Sequence, residues 1–546
     1  MGRSWWIGFG VVALPTSPTP TWHDQGKFLF FGPSTALCWS PSQRYVVVGE
    51  TTGECSLATI ANGWEQHGIS LLNSITAFFA LVVWDRQDQV LYLCRDGVGG
   101  RTLYYTHQGR VTWIAPRLKT LRPYHSGEIN LVALRDYLCC AFVPGSQTLW
   151  QEVQELRPGT VLRLPQKETS IFWQPESRVP PTADARDVER YGEELLELLQ
   201  QVVQEKLMGH DKVGIFLSGG IDSSAVTALS AQLHSGKVIC YSIHFGSEVP
   251  NELFFSRLVA QQYGLEHRPL EISFREMWDY LPETMAELDD PIGDPLTVPN
   301  LRLARFAKSS VSLILNGEGG DPCFGGPKNQ PMLLSQVYGG SLVSHYARSF
   351  QKCFDDLSQL LKPDVWAEVK NAPFFFADDL HRDMELLQRL FLINIKFKGA
   401  DHILTKVNNL LGAVGLEGRS PLFDRRVVDF SLRIPVGCKV AGAEEKAVLK
   451  RAMQSLLPPE IIHRPKSGMM VPVQLGFQKY WNRQARDLLL GKHAAISAYL
   501  QPHLIQSWLD YQGDPWRRYG VKLWLLASLE LWLQQHRSFQ PNVSTT

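Results

Sequence analysis

The period of the hydrophobic pattern changes once along the chain, near residue 190. Up to about residue 175, short apolar runs such as "RYVVVGE" and "AFFALVVWD" alternate with Gly, Asp, Gln and Pro, which is typical of strands joined by turns. Residues 175–187 then hold three prolines among charged residues, which favours a linker. The pattern predicts a β-rich domain in residues 1–175 and a linker in residues 176–190.

Beyond the linker, strands and helices are predicted in alternation. The segment "VERYGEELLELLQQVVQEKL" has the i, i+3, i+4 spacing of an amphipathic helix. A strand at Val213–Leu217, a helix at Ser223–His234 and a strand at Val238–Ile243 follow, with a further helix near residues 274–287. Such alternation indicates a parallel sheet covered on both faces. We expect residues 191–540 to form a doubly wound α/β domain with a helical C-terminal half, beside an α+β first domain.

The stretch "SGGIDSS", residues 218–224, lies between a predicted buried strand and a helix. At such a turn the first helix amides lack backbone partners and the helix dipole adds positive potential, so the turn can bind an anion. Gly219 and Gly220 let the backbone approach a phosphate closely, whereas Asp222 would repel that phosphate unless Mg²⁺ lies between them. The predicted ATP- and pyrophosphate-binding residues are Ser218, Gly219, Gly220, Asp222, Ser223, Ser224 and, from the next strand, Ser242.

A second glycine-rich loop, "LNGEGGDPCFGG" at residues 315–326, ends a predicted strand. Its Asp321 is the natural partner of Asp222, because two carboxylates that face one pyrophosphate can hold Mg²⁺ between them. Glu318 could position metal-bound water or substrate. Both loops also fit a purely structural alternative, a glycine turn with a Ser or Asp cap. The functional interpretation predicts ATP and Mg²⁺ as cofactors, with Asp222 and Asp321 as the metal ligands.

Several segments together carry a family resemblance. "SGGIDSS" resembles the pyrophosphate loop of the ATP-pyrophosphatase superfamily, which cleaves ATP to AMP and pyrophosphate. "LNGEGGDPCFGG", "GLEGRSPLFDRRVVDFSLRIP" and "KAVLKRAMQSLLPPEIIHRPKSGMMVP" resemble asparagine synthetases and β-lactam synthetases, and the likeness covers about residues 200–537. Pro322 follows Asp321 where asparagine synthetases usually have Glu, and the β-lactam synthetases lack that Glu as well. Substrate identity is therefore left open.

The resemblance implies roles for individual residues. Lys466 in "HRPKSG" matches the family lysine that stabilises charge on the acyl-adenylate and pyrophosphate. Glu417 in "LEGRSP" would help to deprotonate the attacking amine, while Arg419 could equally be its ion-pair partner. Lys446 and Lys450 either line the phosphate pocket or lie on a solvated helix face. The expected catalytic residues are Lys466, Glu417 and Glu318.

The first domain also resembles a known one. "ITAFFALVVWDRQDQVLYLCRDGVGGRTLYY", residues 75–105, is similar to the Ntn-hydrolase-type glutaminase domain of asparagine synthetases. In that family a cysteine directly after the initiator Met is the nucleophile, but Gly2 and Arg3 stand there. The family's Asn-Gly-Glu appears as Val48-Gly49-Glu50, and Cys38 is the first cysteine of the chain. We expect no glutaminase activity, so the amine comes from solution or belongs to the substrate.

Composition narrows the choice of partners and compartment. The 54 basic and 54 acidic residues cancel, which argues against a nucleic-acid partner or an anionic membrane. The nine cysteines show no paired motif, so a reducing, cytoplasmic compartment is expected. The start "MGRSWWIGFGVVAL" fits a first strand better than a signal peptide, and no apolar segment reaches membrane-spanning length.

These features predict an ATP-dependent carbon–nitrogen ligase that activates a carboxylate as an acyl-adenylate, releases pyrophosphate and joins an amine. Aspartate and ammonia are the simplest substrates, and a cyclisation of the β-lactam synthetase or lasso-peptide cyclase type is the alternative. The segment "ELDDPIGDP", residues 287–295, would then face the substrate or merely cap a helix. Other classes are a catalytically silent nucleotide-binding scaffold and adenylation in sulfur or tRNA chemistry. The expected partners are a small-molecule or peptide carboxylate and an amine, with a homodimer as an option.

Overall fold

The computed structural model describes residues 4–10, 20–24, 27–53, 55–180, 184, 187–247, 249–325, 332, 339–441, 444–464, 471–514 and 517–537. In the first domain two antiparallel sheets contain β1 (Trp6–Phe9), β2 (Trp22–Asp24), β3 (Phe28–Phe31), β4 (Leu37–Trp39), β5 (Tyr45–Thr51), β6 (Phe79–Asp85), β7 (Val90–Arg95), β8 (Tyr104–Gln108), β9 (Val111–Ala115), β10 (Val153–Glu155), β11 (Thr160–Leu164) and β12 (Glu168–Ile171). Their orders are β10-β8-β9-β1-β3-β2 and β12-β11-β7-β6-β5-β4. The predicted β-rich sandwich is confirmed.

The central strand β6 shows how this sandwich packs. Successive side chains of a strand point to opposite faces of its sheet. Val82 and Trp84 lie in the core between the two sheets, whereas Leu81 and Val83 pack in a second core with the helix Leu57–His67. Because both faces of β6 are covered, the strand is a continuous apolar run rather than an alternating one.

The second domain is built on a parallel sheet of β13 (Lys212–Phe216), β14 (Lys237–His244), β15 (Glu266–Glu271), β16 (Leu313–Asn316) and β17 (Glu417–Arg419). The order is β15-β14-β13-β16-β17, and every pairing is parallel, as predicted. A short antiparallel pair, β18 (Val440–Ala441) and β19 (Glu444–Glu445), lies apart from it. The carboxyl ends of β13, β14 and β16 meet at one edge, where ligands of such sheets bind.

Helices cover this sheet and build the C-terminal half. The first-domain helices are Leu57–His67 and Leu131–Cys140, with 3₁₀ turns at Ser34–Ala36, Gly68–Asn73 and Leu118–Tyr124. The second domain contains the α-helices Val188–Leu207, Ile221–Leu233, Leu253–Gln262, Phe274–Asp279, Leu281–Glu287, Thr297–Lys308, Gly320–Phe324, Leu342–Ser349, Leu357–Leu360, Pro363–Val369, Ala377–Leu380, Leu386–Ile393, Thr405–Ala413, Arg425–Ser431, Val436–Lys439, Ala447–Met453, Pro459–Ile462, Val473–Gly476, Asn482–Leu490, Pro502–Leu509 and Tyr519–Arg537. It also has π-helical segments at Asn394–Leu404 and Phe477–Trp481, and 3₁₀ turns at Phe354–Asp356, Pro421–Phe423 and Ala495–Ala498.

One predicted helix is divided in two. The helix expected near residues 274–287 consists of Phe274–Asp279 and Leu281–Glu287, separated at Tyr280. Pro282 lies in the first turn of the second helix, where its missing N–H costs no hydrogen bond. In the interior of one continuous helix the same proline would remove a backbone hydrogen bond and clash with the preceding turn.

The two domains share a core. Trp150 of the first domain packs on Trp532 of the C-terminal helix, with ring centroids 5.2 Å apart. The Tyr137 hydroxyl donates to the Leu525 carbonyl at 2.9 Å, and Arg117 pairs with the fully buried Asp289 at 2.9 Å. Apolar packing and buried ion pairs therefore fix the first domain against the second. Among the described residues, no helix has both the length and the apolar character needed to cross a membrane.

Candidate active site

The loop after β13 is shaped by its glycines and serines. Gly219 has φ +81°, and a Cβ there would lie 2.7 Å from Phe255 Cβ, so only glycine fits. The Ser218 amide donates to Ser223 Oγ at 3.1 Å, and Ser223 Oγ donates to the Gly220 carbonyl at 3.2 Å. Ser218, Ser223 and Asp222 face a cavity, whereas Ser224 is buried beneath the loop. The helix Ile221–Leu233 thus begins directly at the cavity.

The loop after β16 packs against the first loop. A Cβ on Gly317 would lie 2.4 Å from the Ser223 amide nitrogen, and one on Gly320 would lie 2.1 Å from Asp222 Oδ1. The two loops can therefore pack in contact because Gly317 and Gly320 have no side chains. Asp321 then lies in the first turn of the helix Gly320–Phe324, close to the first loop.

Lys446 joins the two predicted metal ligands. Its Nζ lies 2.5 Å from Asp222 Oδ2 and 2.5 Å from Asp321 Oδ1, and the side chain is 2% exposed. The structure therefore brings Asp222 and Asp321 together around one buried ammonium. Two carboxylates and one lysine leave a net negative charge, and this oxygen-only donor set suits Mg²⁺, which is commonly held by one or two carboxylates plus substrate phosphates. The residues present fit the metal.

The cavity beside these loops has a volume of about 530 Å³. Its first-domain wall consists of Cys140, Ala141 and Phe142. Tyr241, Ser242 and Ile243 at the end of β14 line it, with the Ser242 hydroxyl held between the Leu217 carbonyl and His267 Nε2 at 2.5 and 2.7 Å. The remaining wall is largely apolar, with Leu296, Leu303, Ile403, Val407, Leu410 and Leu411. A concave site that combines apolar walls with convergent polar groups is typical of small-molecule binding.

The far side of the cavity carries a charged cluster of Asp294, His402 and Lys406. Lys406 Nζ lies 2.7 Å from Asp294 Oδ2, and His402 Nε2 lies 3.3 Å from the same oxygen. Burial alone would raise the pKa of Asp294, but Lys406 and His402 hold it well below its usual range. Burial lowers the pKa of His402 to about 4, so that imidazole is neutral at pH 7. The pair Asp294–Lys406 is fully ionised there.

Glu318 lies between the two ends of the cavity. Burial raises the pKa of its carboxyl, and Asp321 adds to the rise although Lys406 opposes it. The Glu318 amide donates to Asn316 Oδ1 at 3.0 Å, which fixes the backbone while the carboxyl group lines the cavity. A carboxyl group with a raised pKa is better suited to accept a proton than an ordinary surface carboxylate.

The structure does not bring Glu417 to the cavity. In the register of the sheet Glu417 is level with Leu313, at the amino end of β16, whereas the second loop begins at its carboxyl end. Its Oε1 accepts hydrogen bonds from Arg419 Nε at 2.8 Å and from the Gly53 amide at 3.3 Å. Because Glu417 lies away from the cavity, its position contradicts the expected general-base role. Glu417 forms an ion pair with Arg419 instead. The predicted Lys466 lies outside the described residues.

The three aspartates of "ELDDPIGDP" separate into different roles. Asp289 binds Arg117, and Asp290 accepts the Leu149 amide at 2.9 Å, so both join the two domains. Asp294 alone lines the cavity. Sequence reasoning missed Lys352, Lys398, His402 and Lys406, all of which line the cavity. The spacing of residues 398, 402 and 406 by four was the one available signal, since it places them on one helical face.

The first domain has a cavity of its own. It measures about 490 Å³ and is lined by Trp5, Cys38, Gly49 and Glu50 among others. Cys38 lies in β4, where its backbone pairs with Val47 of β5, so it is a strand residue and not a chain terminus. Gly2 and Arg3 lie outside the described residues.

Comparison with known proteins agrees with the two-domain architecture. Residues 194–534 match the asparagine synthase family, and residues 50–174 match a glutamine amidotransferase domain. A putative glutamine-hydrolysing asparagine synthetase of Mycobacterium bovis is 28% identical over 532 residues, covering 88% of this chain and 79% of that protein. Glutamine-hydrolysing asparagine synthetase 1 of Bacillus subtilis is 26% identical over 499 residues, covering 84% and 78%. The NH3-dependent NAD synthetase of Campylobacter jejuni covers 34% of this chain and 93% of its own at 15% identity, with a TM-score of 0.19, too low to bear on the fold.

The first match extends over more than half of the chain and contains both glycine-rich loops, Lys446 and the charged cluster. The protein therefore belongs to the asparagine synthase family.

Proposed function

We propose that the protein is an ATP-dependent carbon–nitrogen ligase. A substrate carboxylate attacks the α-phosphate of ATP to give an acyl-adenylate and pyrophosphate, and an amine then displaces AMP to form an amide. The convergence of Asp222 and Asp321 on Lys446, at the edge of the cavity, is the observation that carries the proposal. A catalytically silent scaffold has no need for this arrangement.

The two glycine-rich loops bind the phosphates. Ser218 and Ser223 present hydroxyl groups to the cavity, and the positive end of the helix Ile221–Leu233 favours an anion there. Asp222 and Asp321 would hold Mg²⁺, which when bound neutralises developing phosphate charge. Lys446 supplies a fixed positive charge between the same carboxylates. From its place in the sequence we assign Lys466 to the same task.

The charged cluster and Glu318 serve the acceptor and the amine. The ionised Asp294–Lys406 pair is oriented before substrate arrives and fixes the polar end of the acceptor. Glu318, with its raised pKa, lies beside this cluster and accepts the proton that the attacking amine must lose. Glu417 is left out because of its position at the far end of the sheet.

Aspartate and ammonia are the substrate pair that we propose first. The two asparagine synthetase relatives are named as glutamine-hydrolysing enzymes. This sequence has Gly2 and Arg3 where their family places the nucleophilic cysteine, and we propose that the amine comes from solution or is carried by the acceptor itself. We propose a cytoplasmic location from the cysteine pattern, and neither nucleic acid nor membrane as partner.

Pyrophosphate release tests this proposal directly. The protein is incubated with ATP, Mg²⁺ and aspartate, with either ammonium or glutamine. Release with ammonium alone, together with asparagine, supports the proposal, and Asp321→Asn should abolish it. Release with glutamine would contradict the expected loss of glutaminase activity. No release with either amine would reject aspartate with an external amine, and an acceptor carrying its own amine, as in the cyclases, would be tested next.

A further inference from the structure

The phosphate-binding loop is held from outside by a group of residues that the proposed reaction does not use. Arg464 Nη1 donates to the Gly219 carbonyl at 3.1 Å, while its Nη2 binds the Glu252 carboxylate. The Arg464 guanidinium carbon lies 3.9 Å from the centroid of the Phe255 ring. We call Arg464, Glu252 and Phe255 the loop clamp. Its members come from two segments more than 200 residues apart.

The clamp acts on one peptide group. A peptide unit is planar, and its carbonyl and N–H point in opposite directions. When Arg464 fixes the Gly219 carbonyl outward, the Gly220 N–H points the opposite way, toward Ser218 Oγ at 3.4 Å, and Ser218 lines the cavity. Glycine rotates between alternative φ values at little cost, so the loop sequence itself does not select this orientation. The hydrogen bond from the charged Arg464 side chain to the Gly219 carbonyl selects this orientation.

The phosphate-binding loop also packs closely against the helix that carries Phe255. A Cβ on Gly219 would lie 2.7 Å from both Phe255 Cβ and the Ser256 amide, so the loop already touches the helix that carries Phe255. The Arg464 side chain is 11% exposed and Glu252 is 18% exposed, which limits competition from water. Hydrogen bonds with an ionised partner are roughly twice as strong as neutral ones. The geometry therefore favours a single loop conformation before any ligand binds.

We propose that Arg464 is a positioning residue that holds the Gly219–Gly220 peptide in its phosphate-binding orientation. The inference rests on the proposed function only in taking ATP as the anion that the loop receives. Arg464 touches no reacting atom in this scheme and acts through the loop. Its loss should therefore weaken ATP binding and leave acceptor binding unchanged.

The decisive variant is Arg464→Met, which keeps an apolar stem over Phe255 and removes every donor. ATP affinity, measured by calorimetry with Mg²⁺, should fall about tenfold to a hundredfold. The KM for the acceptor should stay within about twofold. Arg464→Lys keeps the charge without the planar fork and should recover part of the loss. Hydrogen exchange of the amides in residues 217–224 should speed up in Arg464→Met and be partly restored in Arg464→Lys.

Arg433→Met is the matched control. Arg433 also lies over a phenylalanine ring, that of Phe430 at 5.7 Å, but it is exposed and has no contact with the loop. It should leave both ATP affinity and loop exchange as in the wild type. If Arg464→Met is too unstable to purify, Arg464→Lys and Glu252→Gln provide the test, each with a smaller loss of ATP affinity in the same direction.

Unchanged ATP affinity and exchange in Arg464→Met, or in both milder variants, would overturn the inference. So would an equal loss of ATP and acceptor binding, because that pattern indicates a general structural role. A wild type that binds ATP but never releases pyrophosphate would reject the proposed function alone. The comparison of ATP binding between wild type and Arg464→Met would still decide on the clamp.

Discussion

At the scale of single residues, Lys446 is the side chain on which both glycine-rich loops depend. It is almost fully buried and lies between two carboxylates that would otherwise repel each other. Lys446→Met should destabilise the protein by about 1–3 kcal/mol, because two partly buried carboxylates lose the donor that they share. Mg²⁺ should restore part of this stability by occupying the place of the ammonium, and ATP affinity should fall. Thermal melts with and without Mg²⁺ measure the first effect.

Lys522 offers a matched control for that experiment. Its Nζ also lies between two aspartates, at 2.6 Å from Asp356 and 3.1 Å from Asp514, beside the Trp508 ring and away from the cavity. Lys522→Met should destabilise the fold without rescue by Mg²⁺. A rescue of equal size in both variants would mean that the metal does not act at the Asp222–Asp321 site.

A second buried lysine gives the protein a pH dependence. Lys439 is 2% exposed, its Nζ lies 4.2 Å from the Phe391 ring centroid, and no carboxylate in the described residues is within ion-pair distance. Burial lowers its pKa to about 7 from an ordinary value of 10.5. Above pH 7 the unfolded chain thus binds a proton that the folded protein lacks, so stability rises toward pH 10 by up to about 1.4 kcal/mol per pH unit.

Lys439→Met tests this directly. The variant should be more stable than the wild type at pH 7 and should lose the rise in stability between pH 7 and 10. Urea unfolding across that range gives the comparison. An unchanged slope in the variant would show that the charge on Lys439 is compensated in the folded protein.

At the scale of elements, the segment from Asn394 through Ala413 organises the end of the cavity that holds the charged cluster. It begins as a π-helix and continues as an α-helix, and it presents Lys398, His402 and Lys406 to the cavity. π-helical turns are rare in proteins and are found frequently at functional sites. Lys396 and Ala400 of the same segment line a different cavity of about 420 Å³ on the side of the first domain.

Asp294→Asn probes that element. The change leaves Lys406 buried without its carboxylate, and stability should fall by about 3–5 kcal/mol at pH 7. Because the Asp294 pKa is depressed in the folded state, the wild type loses this stabilisation as the pH falls through that low pKa. The gap between the two proteins in urea unfolding should therefore narrow in acid.

Asp379→Asn serves as the comparison. Asp379 binds Lys396, which belongs to the same segment but is 37% exposed, so its loss should cost less. If both variants lost equal stability, burial of Lys406 would not be what makes the Asp294 pair important.

The periodic elements are the ones that the sequence predicts well. β13, β14 and the helix after the first loop follow from apolar runs bounded by glycine, and their parallel pairing follows from the alternation. The convergence of Asp222 and Asp321 was expected because two carboxylates that face one pyrophosphate can hold Mg²⁺ between them. Glu417 shows the limit, because its place depends on the register of β17 against β16, which no local pattern encodes. The place of Lys352 in the cavity wall could not be predicted either, because only tertiary folding brings its loop to the cavity.

At the scale of the whole molecule, the first domain forms part of the cavity in the second. Phe142, which follows the helix Leu131–Cys140, stacks on His402 with ring centroids 5.2 Å apart and an angle of 10° between the planes. The Ala141 carbonyl accepts the Gly293 amide at 2.8 Å, one residue before Asp294. A side chain of one domain thus packs directly against the charged cluster of the other.

Phe142→Leu should change kinetics across the domain boundary. Losing the stacked ring should raise the acceptor KM several-fold, because His402 gains freedom, while the ATP KM stays the same. Phe28→Leu, in the core between the two sheets, removes a buried ring far from the cavity and should affect stability alone. Equal kinetics in the two variants would mean that Phe142 only fills space. Steady-state assays that vary one substrate at a time make the distinction.

The shared wall at Ala141 and Phe142 has an evolutionary consequence. A domain can be retained for its structure, whatever chemistry its own cavity carries. Deletion of the first domain would open the cavity of the second domain and expose the face on which Trp150 meets Trp532. Selection on the second domain alone is then sufficient to retain the first, and the cavity around Cys38 and Glu50 can change without loss of the shared wall.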